Sequence, residues 1–137
     1  MADNMIKVGM LILMEHDLEK AISFYQSLGF PLAFHLKGKW AELLIGDVKL
    51  GLAPTTQQLP DRHTGIILEI ADVKKAYQEL SQKGITFIRE PFEAVHGIMT
   101  SIKDPGNNIL DLYQPTPEKV REVIKKQQES GSTGNTP

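Results

Sequence analysis

One stretch of this chain is written twice, and that repeat constrains the fold more than any other feature. Residues 7–30 read KVGMLILMEHDLEKAISFYQSLGF, and residues 64–85 read TGIILEIADVKKAYQELSQKGI. Each copy is an apolar run, then an Asp, then an amphipathic helical pattern closed by Gly. Asp17 and Gly29 stand twelve residues apart, and so do Asp72 and Gly84. At a constant offset of 55, Leu18 aligns with Val73, Lys20 with Lys75, Ala21 with Ala76 and Ile22 with Tyr77. A strand, cap, helix face and stop that recur together define a duplicated supersecondary unit.

The physical content of the unit follows from its residues. Residues 8–14 are almost continuously apolar, which predicts a strand covered on both faces. Asp17 is a good N-cap, and Glu19 in the first turn suits the helix dipole. Leu18, Ala21, Ile22, Tyr25 and Leu28 then share one helical face. Gly29 supplies the left-handed stop, and Pro31 prevents a restart. Three short strands follow, at 32–36, 40–45 and 48–53. Residues 54–62, PTTQQLPDR, form a polar linker with two prolines. The second copy repeats the order: a strand at 66–70, a helix at 72–83, then strands at 86–88, 98–102 and 109–113. Val73, Ala76, Tyr77 and Leu80 are the apolar stripe of its helix.

The chain therefore divides into modules at about 6–54 and 63–115, after a frayed start at residues 1–5. Thr116-Pro117-Glu118 opens a C-terminal helix over 116–128, with Pro at the first helical position. Residues 129–137, ESGSTGNTP, have almost nothing to bury and read as a disordered tail.

Composition excludes several function classes. At 137 residues, one domain or two fused half-domains can bury a core without staples. Fifteen basic against seventeen acidic side chains, with no basic run, argue against a nucleic-acid partner. There is no cysteine, hence no disulfide, thiolate metal site or Cys nucleophile. No apolar run is long enough to span a membrane, and the N-terminus lacks a signal-peptide pattern. A cytoplasmic protein without a membrane partner is the expectation.

The helix signal DLEKAISFYQSLGF at 17–30 carries a family resemblance. So does Asp104-Pro105-Gly106-Asn107-Asn108 followed by Leu110-Asp111-Leu112, which is similar to a terminal "DPDGN…LEL" signature. Over about residues 7–114 the chain resembles the glyoxalase, bleomycin-resistance and ring-cleaving dioxygenase superfamily, also called vicinal oxygen chelate proteins. The resemblance implies an α+β fold of tandem βαβββ modules forming a curved mixed-sheet cup, with helices on the convex side. It also implies a homodimer and a small-molecule ligand.

Strand alternation then sorts the side chains. Leu11 and Leu13 should face the helix, leaving Val8, Met10, Ile12 and Met14 toward the pocket. His63, Gly65, Ile67 and Glu69 should face inward on the fifth strand, and Ile109, Asp111 and Tyr113 on the last. Trp40, Glu42 and Leu44 on the third, Lys49, Gly51 and Ala53 on the fourth, and Met99, Ser101 and Lys103 on the seventh complete the inward set.

Relatives that use a divalent ion take one ligand from each of strands one, four, five and eight. In this chain those slots fall on Met10, Gly51, Gly65 and Asp111. A thioether and two hydrogens cannot replace imidazole and carboxylate, so no metal and no cofactor are expected. A displaced set of His63, Glu69 and Asp111 is the rescue to weigh. Neighbours on one strand face are roughly 7 Å apart, so it requires a bulge. As a strand-entry residue, His63 is as well explained by solvent exposure.

Met10, Trp40, His63, Glu69, Met99 and Asp111 are thus the candidate ligand contacts, and no residue is assigned to catalysis. Trp40 can stack on a flat ligand or simply pack. The methionines can form an adaptable wall or plain core. Glu69 and Asp111 can act as an acid–base pair or rest as hydrogen-bonded carboxylates. His96 stands where relatives place a rim aromatic. The expected function is metal-free binding of a partly apolar small molecule between the modules. The alternative is a lyase, isomerase or dioxygenase-like enzyme using a displaced metal or the acid–base pair.

Overall fold

Asp17 and Asp72 do the same work in the two copies. Asp17 accepts a hydrogen bond from the Lys20 amide at 3.1 Å, and Asp72 from the Lys75 amide at 3.0 Å. Each satisfies an orphan donor at a helix start. The stops also match, with Gly29 at φ 97° and Gly84 at φ 88°, values that cost an L-residue but not glycine.

The computed structural model describes residues 5–132. It divides into two units, Met1–Arg62 with Asp104–Asn108, and His63–Lys103 with Ile109–Pro137. The first contains β1 (Leu11–Glu15), α1 (Leu18–Ser27), β2 (Leu32–Leu36), β3 (Trp40–Ile45) and β4 (Val48–Pro54). Its sheet runs β1-β4-β3-β2. β1 is parallel to β4, with Leu13 opposite Leu52, while β2–β3 and β3–β4 are antiparallel. α1 packs on β3 and β4. Tyr25 of α1 and Leu43, Leu50 and Leu52 beneath it are fully buried, the leucines each worth roughly 1.5–3 kcal/mol of burial.

The second unit holds β5 (Arg62–Glu69), whose first residue groups with the first unit, and α2 (Val73–Gln82). It continues through β6 (Thr86–Phe87), β7 (Phe92–Glu93), β8 (Gly97–Lys103), β9 (Asn108–Pro115) and α3 (Pro117–Ser132). The sheet order is β5-β9-β8-β6, and β7 also pairs with β8. Leu110, Leu112, Ile102 and Val73 form its buried core. β7, two residues long, is one strand more than the sequence pattern gave.

Three expectations need correction. The first strand starts at Leu11 rather than residue 8, because its ladder begins at the Leu11–Leu50 pair. It is also covered on one face only: Leu13 is buried, but Ile12 is 56% exposed. The C-terminal helix continues to Ser132, past the expected end at 128. Residues 129 and 130 bring no proline, and a single Gly at 131 costs about 1 kcal/mol without ending a helix. The rest of the expected tail, 133–137, and residues 1–4 of the expected frayed start lie outside the described residues. Third, the turn 104–108, read as part of the second module, groups with the first unit.

That grouping has a polar cause. Asp104 accepts from the Gly106 and Asn108 amides at 2.9 Å each, which folds the turn. It also accepts the Tyr25 hydroxyl of α1 at 2.6 Å. Asn108 donates to the Met14 carbonyl and to Glu15, both at 3.0 Å. Arg62 donates to Asn108 at 2.9 Å and to the Gly106 carbonyl at 3.1 Å. The Asp-Pro-Gly-Asn-Asn signature is thus a buried hydrogen-bond hub. It pins the end of β1 and the last turn of α1.

Candidate ligand-binding faces

The face of the first sheet that points away from α1 is built by pairing. Phe34 lies opposite Glu42 and Leu36 opposite Trp40, while Glu42 is paired to Gly51 and Gly51 to Ile12. Directly opposed residues share a face, so these side chains stand together. Gly51 is its floor. A Cβ at residue 51 would meet Met10 Sδ and Trp40 Cζ2 and Cη2, all at 2.7 Å. The indole therefore extends from β3 onto β4 and occupies the place of the missing side chain. Trp40 Nε1 donates to Glu42 Oε2 at 2.8 Å, which fixes the ring.

In the second unit, β5 shows the expected alternation. His63, Gly65, Ile67 and Glu69 are exposed, and Thr64, Ile66 and Leu68 half-buried. Arg62 N donates to Asn107 O and Ile70 N to Tyr113 O, so β5 runs parallel to β9. Between those bonds β5 spends eight residues where β9 spends six, which is the mark of a bulge. Gly65, at φ 76°, lies within it. Thr64 Oγ1 accepts from Ile66 N at 3.0 Å and donates to Ile109 O at 2.8 Å across the irregularity. Met99 pairs with Tyr113 and Ser101 with Asp111, and Ser101 Oγ donates to Asp111 Oδ1 at 2.7 Å. His96 Nδ1 and the Tyr113 hydroxyl are 2.7 Å apart with perpendicular rings.

The six sequence-predicted contacts thus fall on two faces. Met10 and Trp40 meet over Gly51, and His63, Glu69, Met99 and Asp111 stand on the second sheet. His96, read as a rim residue, is engaged by Tyr113. Glu42, which holds Trp40, and the buried Glu15 hub were not among the predicted contacts. Parity was the available signal for both: Glu42 shares the face of Trp40, and Glu15 shares that of Leu11 and Leu13. A hollow of about 430 Å³ along α3, lined by Val95, Lys119 and Val123 among others, includes none of the six.

These residues do not fit the divalent ion used by metal-dependent relatives. The slot at Gly51 is closed by Trp40 and Met10, and the slot at Gly65 has backbone that only glycine adopts freely. The bulge that the displaced set requires is present, yet His63 and Glu69 are six residues apart along β5, roughly 20 Å at strand rise. Among the described residues, no three His, Asp or Glu gather closely enough to hold a metal.

Two groups of the hub, Glu15 and Tyr25, have strongly altered ionisation. Glu15 is the carboxylic acid of the pair. It is fully buried, and Oε1 has no hydrogen-bond partner. Burial pushes its carboxyl from 4.5 up to about 10, with the hydrogen bond and charge of Asp104 adding to the rise. Burial, followed by Asp104, also raises the Tyr25 hydroxyl. Glu15 is therefore held as a neutral acid at pH 7 inside the hub, accepting from Asn108 through Oε2.

Duplicated βαβββ order and a terminal turn hub define a protein of the vicinal-oxygen-chelate type. The glyoxalase/bleomycin resistance protein/dioxygenase superfamily model matches residues 7–112, and the chain belongs to that superfamily. It is 32% identical over 116 residues to an uncharacterized protein from Mycolicibacterium smegmatis, covering 84% of this chain and 97% of that one. Among solved structures it is similar to a Streptomyces antibiotic-binding protein at TM-score 0.68 and 23% identity, covering 84% of this chain and 100% of the other. A fosfomycin resistance protein from Listeria monocytogenes aligns at TM-score 0.72 and 18% identity, covering 84% and 98%. At such identities these two likenesses speak for the fold. Among the described residues, no helix is long and apolar enough to cross a membrane.

Proposed function

We propose that this chain is a metal-free small-molecule-binding protein of its superfamily, holding a partly apolar ligand against the open faces of its sheets. The observation that carries the reading is the placement of Trp40 and Met10 over Gly51. A catalytic ion needs an oxygen or nitrogen donor at that slot, and an aromatic ring with a thioether offers a wall instead. Met10, Trp40, His63, Glu69, Met99 and Asp111 are assigned to ligand contact, and none to catalysis.

Apolar ligand area covered by such a wall contributes about 25 cal/mol per Å² before the entropic cost of binding. Met10 and Met99 adapt to shape, and the few polar groups set orientation. The fold shared with an antibiotic-binding protein supports the reading.

A thermal-shift screen of small molecules, run with a metal chelator present, tests it. Binding to the native state raises the melting temperature in proportion to RT ln(1 + [L]/Kd). Hits should persist in chelator and weaken in Trp40→Leu. A chain that responds to ligands only after a divalent ion is added would favour the lyase, isomerase or dioxygenase-like enzyme.

A further inference from the structure

On the open face of the first sheet the Glu42 carboxylate stands among large apolar side chains with Lys49 beside it. Ile12 is 56%, Phe34 48% and Leu36 50% exposed on the same face as the Trp40 indole. These are large apolar groups on paired strands, and clustering of this kind marks ligand or partner surfaces. Within the cluster, the Glu42 side chain is only 18% exposed. Its Oε2 is taken by Trp40 Nε1. Its Oε1 faces Lys49 Nζ at 3.9 Å, beyond hydrogen-bonding distance, and the Lys49 side chain is 53% exposed. Oε1 therefore keeps only a long contact with an exposed lysine, which supplies little, and it is open to a second donor.

We propose that this face recognises a flat aromatic molecule bearing a protonated amine, which stacks on Trp40 and donates to Glu42 Oε1. The proposal rests on the small-molecule-binding reading above and names the ligand class. Three features converge on it. An aromatic plane finds Trp40 with Phe34 and Leu36 beside it. A cation is attracted both by the indole face and by the carboxylate. The bond from Trp40 Nε1 holds wall and counter-charge in fixed relation, so little must be ordered on binding. Lys49, exposed to solvent, yields its place to the ligand's ammonium.

The test uses the full chain, whose single tryptophan reports on the site directly. The probes are 9-aminoacridine, a flat cation, with 9-anthracenemethanol and 9-anthracenecarboxylate as its neutral and anionic counterparts. Saturable quenching of Trp40 emission by the cation, tighter than by either counterpart, is expected. Glu42→Gln keeps an acceptor for Trp40 Nε1 while removing the charge. It should weaken the cation by roughly ten- to a hundredfold and leave the neutral probe unchanged. Lys49→Met should tighten the cation.

Equal binding of the cation by wild type and Glu42→Gln would overturn the proposal while small-molecule binding stood. Preference for the anion, lost in Lys49→Met, would do the same. If no probe binds and sedimentation shows a dimer whose contact shields Phe34 and Leu36, the face belongs to a second copy and the proposal falls. Absence of any response here and in the wider thermal-shift screen would sink the small-molecule reading as well.

Discussion

The indole of Trp40 rests on the backbone of Gly51, where a β-carbon would stand 2.7 Å from two of its ring carbons. Removing one side chain at 51 is what lets the ring from the neighbouring strand lie across the sheet. The same step leaves no side chain at the position that metal-using relatives fill with a ligand, and it lays an apolar ring and thioether there instead.

Gly51→Ala should therefore displace Trp40 and Met10. Overpacking of this kind costs about 1–3 kcal/mol, read by chemical denaturation. The Trp40 emission maximum should move, and ligands found by thermal shift should bind more weakly. Unchanged emission and binding would show that the indole is not held at Gly51.

Gly65 makes a separate prediction. Its φ of 76° lies in the left-handed region, which disfavours a side chain by about 1–2 kcal/mol. Space is open around it, so Gly65→Ala should lose about that much stability without steric damage. Gly65→His should fail to create a metal site, which calorimetry with Zn²⁺ checks.

Glu15 links stability to alkaline pH. Its carboxyl is raised from 4.5 in the unfolded chain to about 10 in the folded one. The stabilising contribution is thus complete below pH 4.5 and is lost as pH rises toward 10, by up to about 1.4 kcal/mol per pH unit for the one proton. Glu15→Gln, which stays neutral, should hold its melting temperature between pH 6 and 9 while the wild type declines. Parallel declines would show that Glu15 is already ionised.

The C-terminal helix should be dispensable for folding. α3 contacts β8 and forms an exposed ion pair, Lys119 with Glu93 at 2.8 Å. Val120 and Val123 are only half-buried, and Ile124 is 51% exposed. A fragment ending at Pro115 should keep a cooperative thermal melt by circular dichroism. Aggregation of that fragment would make the helix structural.

Much of this was legible because local chemistry agreed with the tertiary answer. The Asp17 and Asp72 caps, the Gly29 and Gly84 stops and the alternation along β5 are short-range signals, and each appears where the sequence placed it. What escaped depends on partners distant in the chain. The ionisation of Glu15 is set by burial and by Asp104, 89 residues away. The hold of Glu42 on Trp40 needs the Gly51 floor of another strand. The start of the first strand was misplaced because hydrophobicity marks burial, whereas a ladder needs a partner, and pairing begins only at Leu11 with Leu50.

Ligand binding without a metal is checked by calorimetric titration of the chelator-stripped full chain with Ni²⁺, Zn²⁺ and Fe²⁺. No saturable binding near one equivalent is expected for any of the three. One tight equivalent, abolished by His63→Ala or Asp111→Ala, would contradict it.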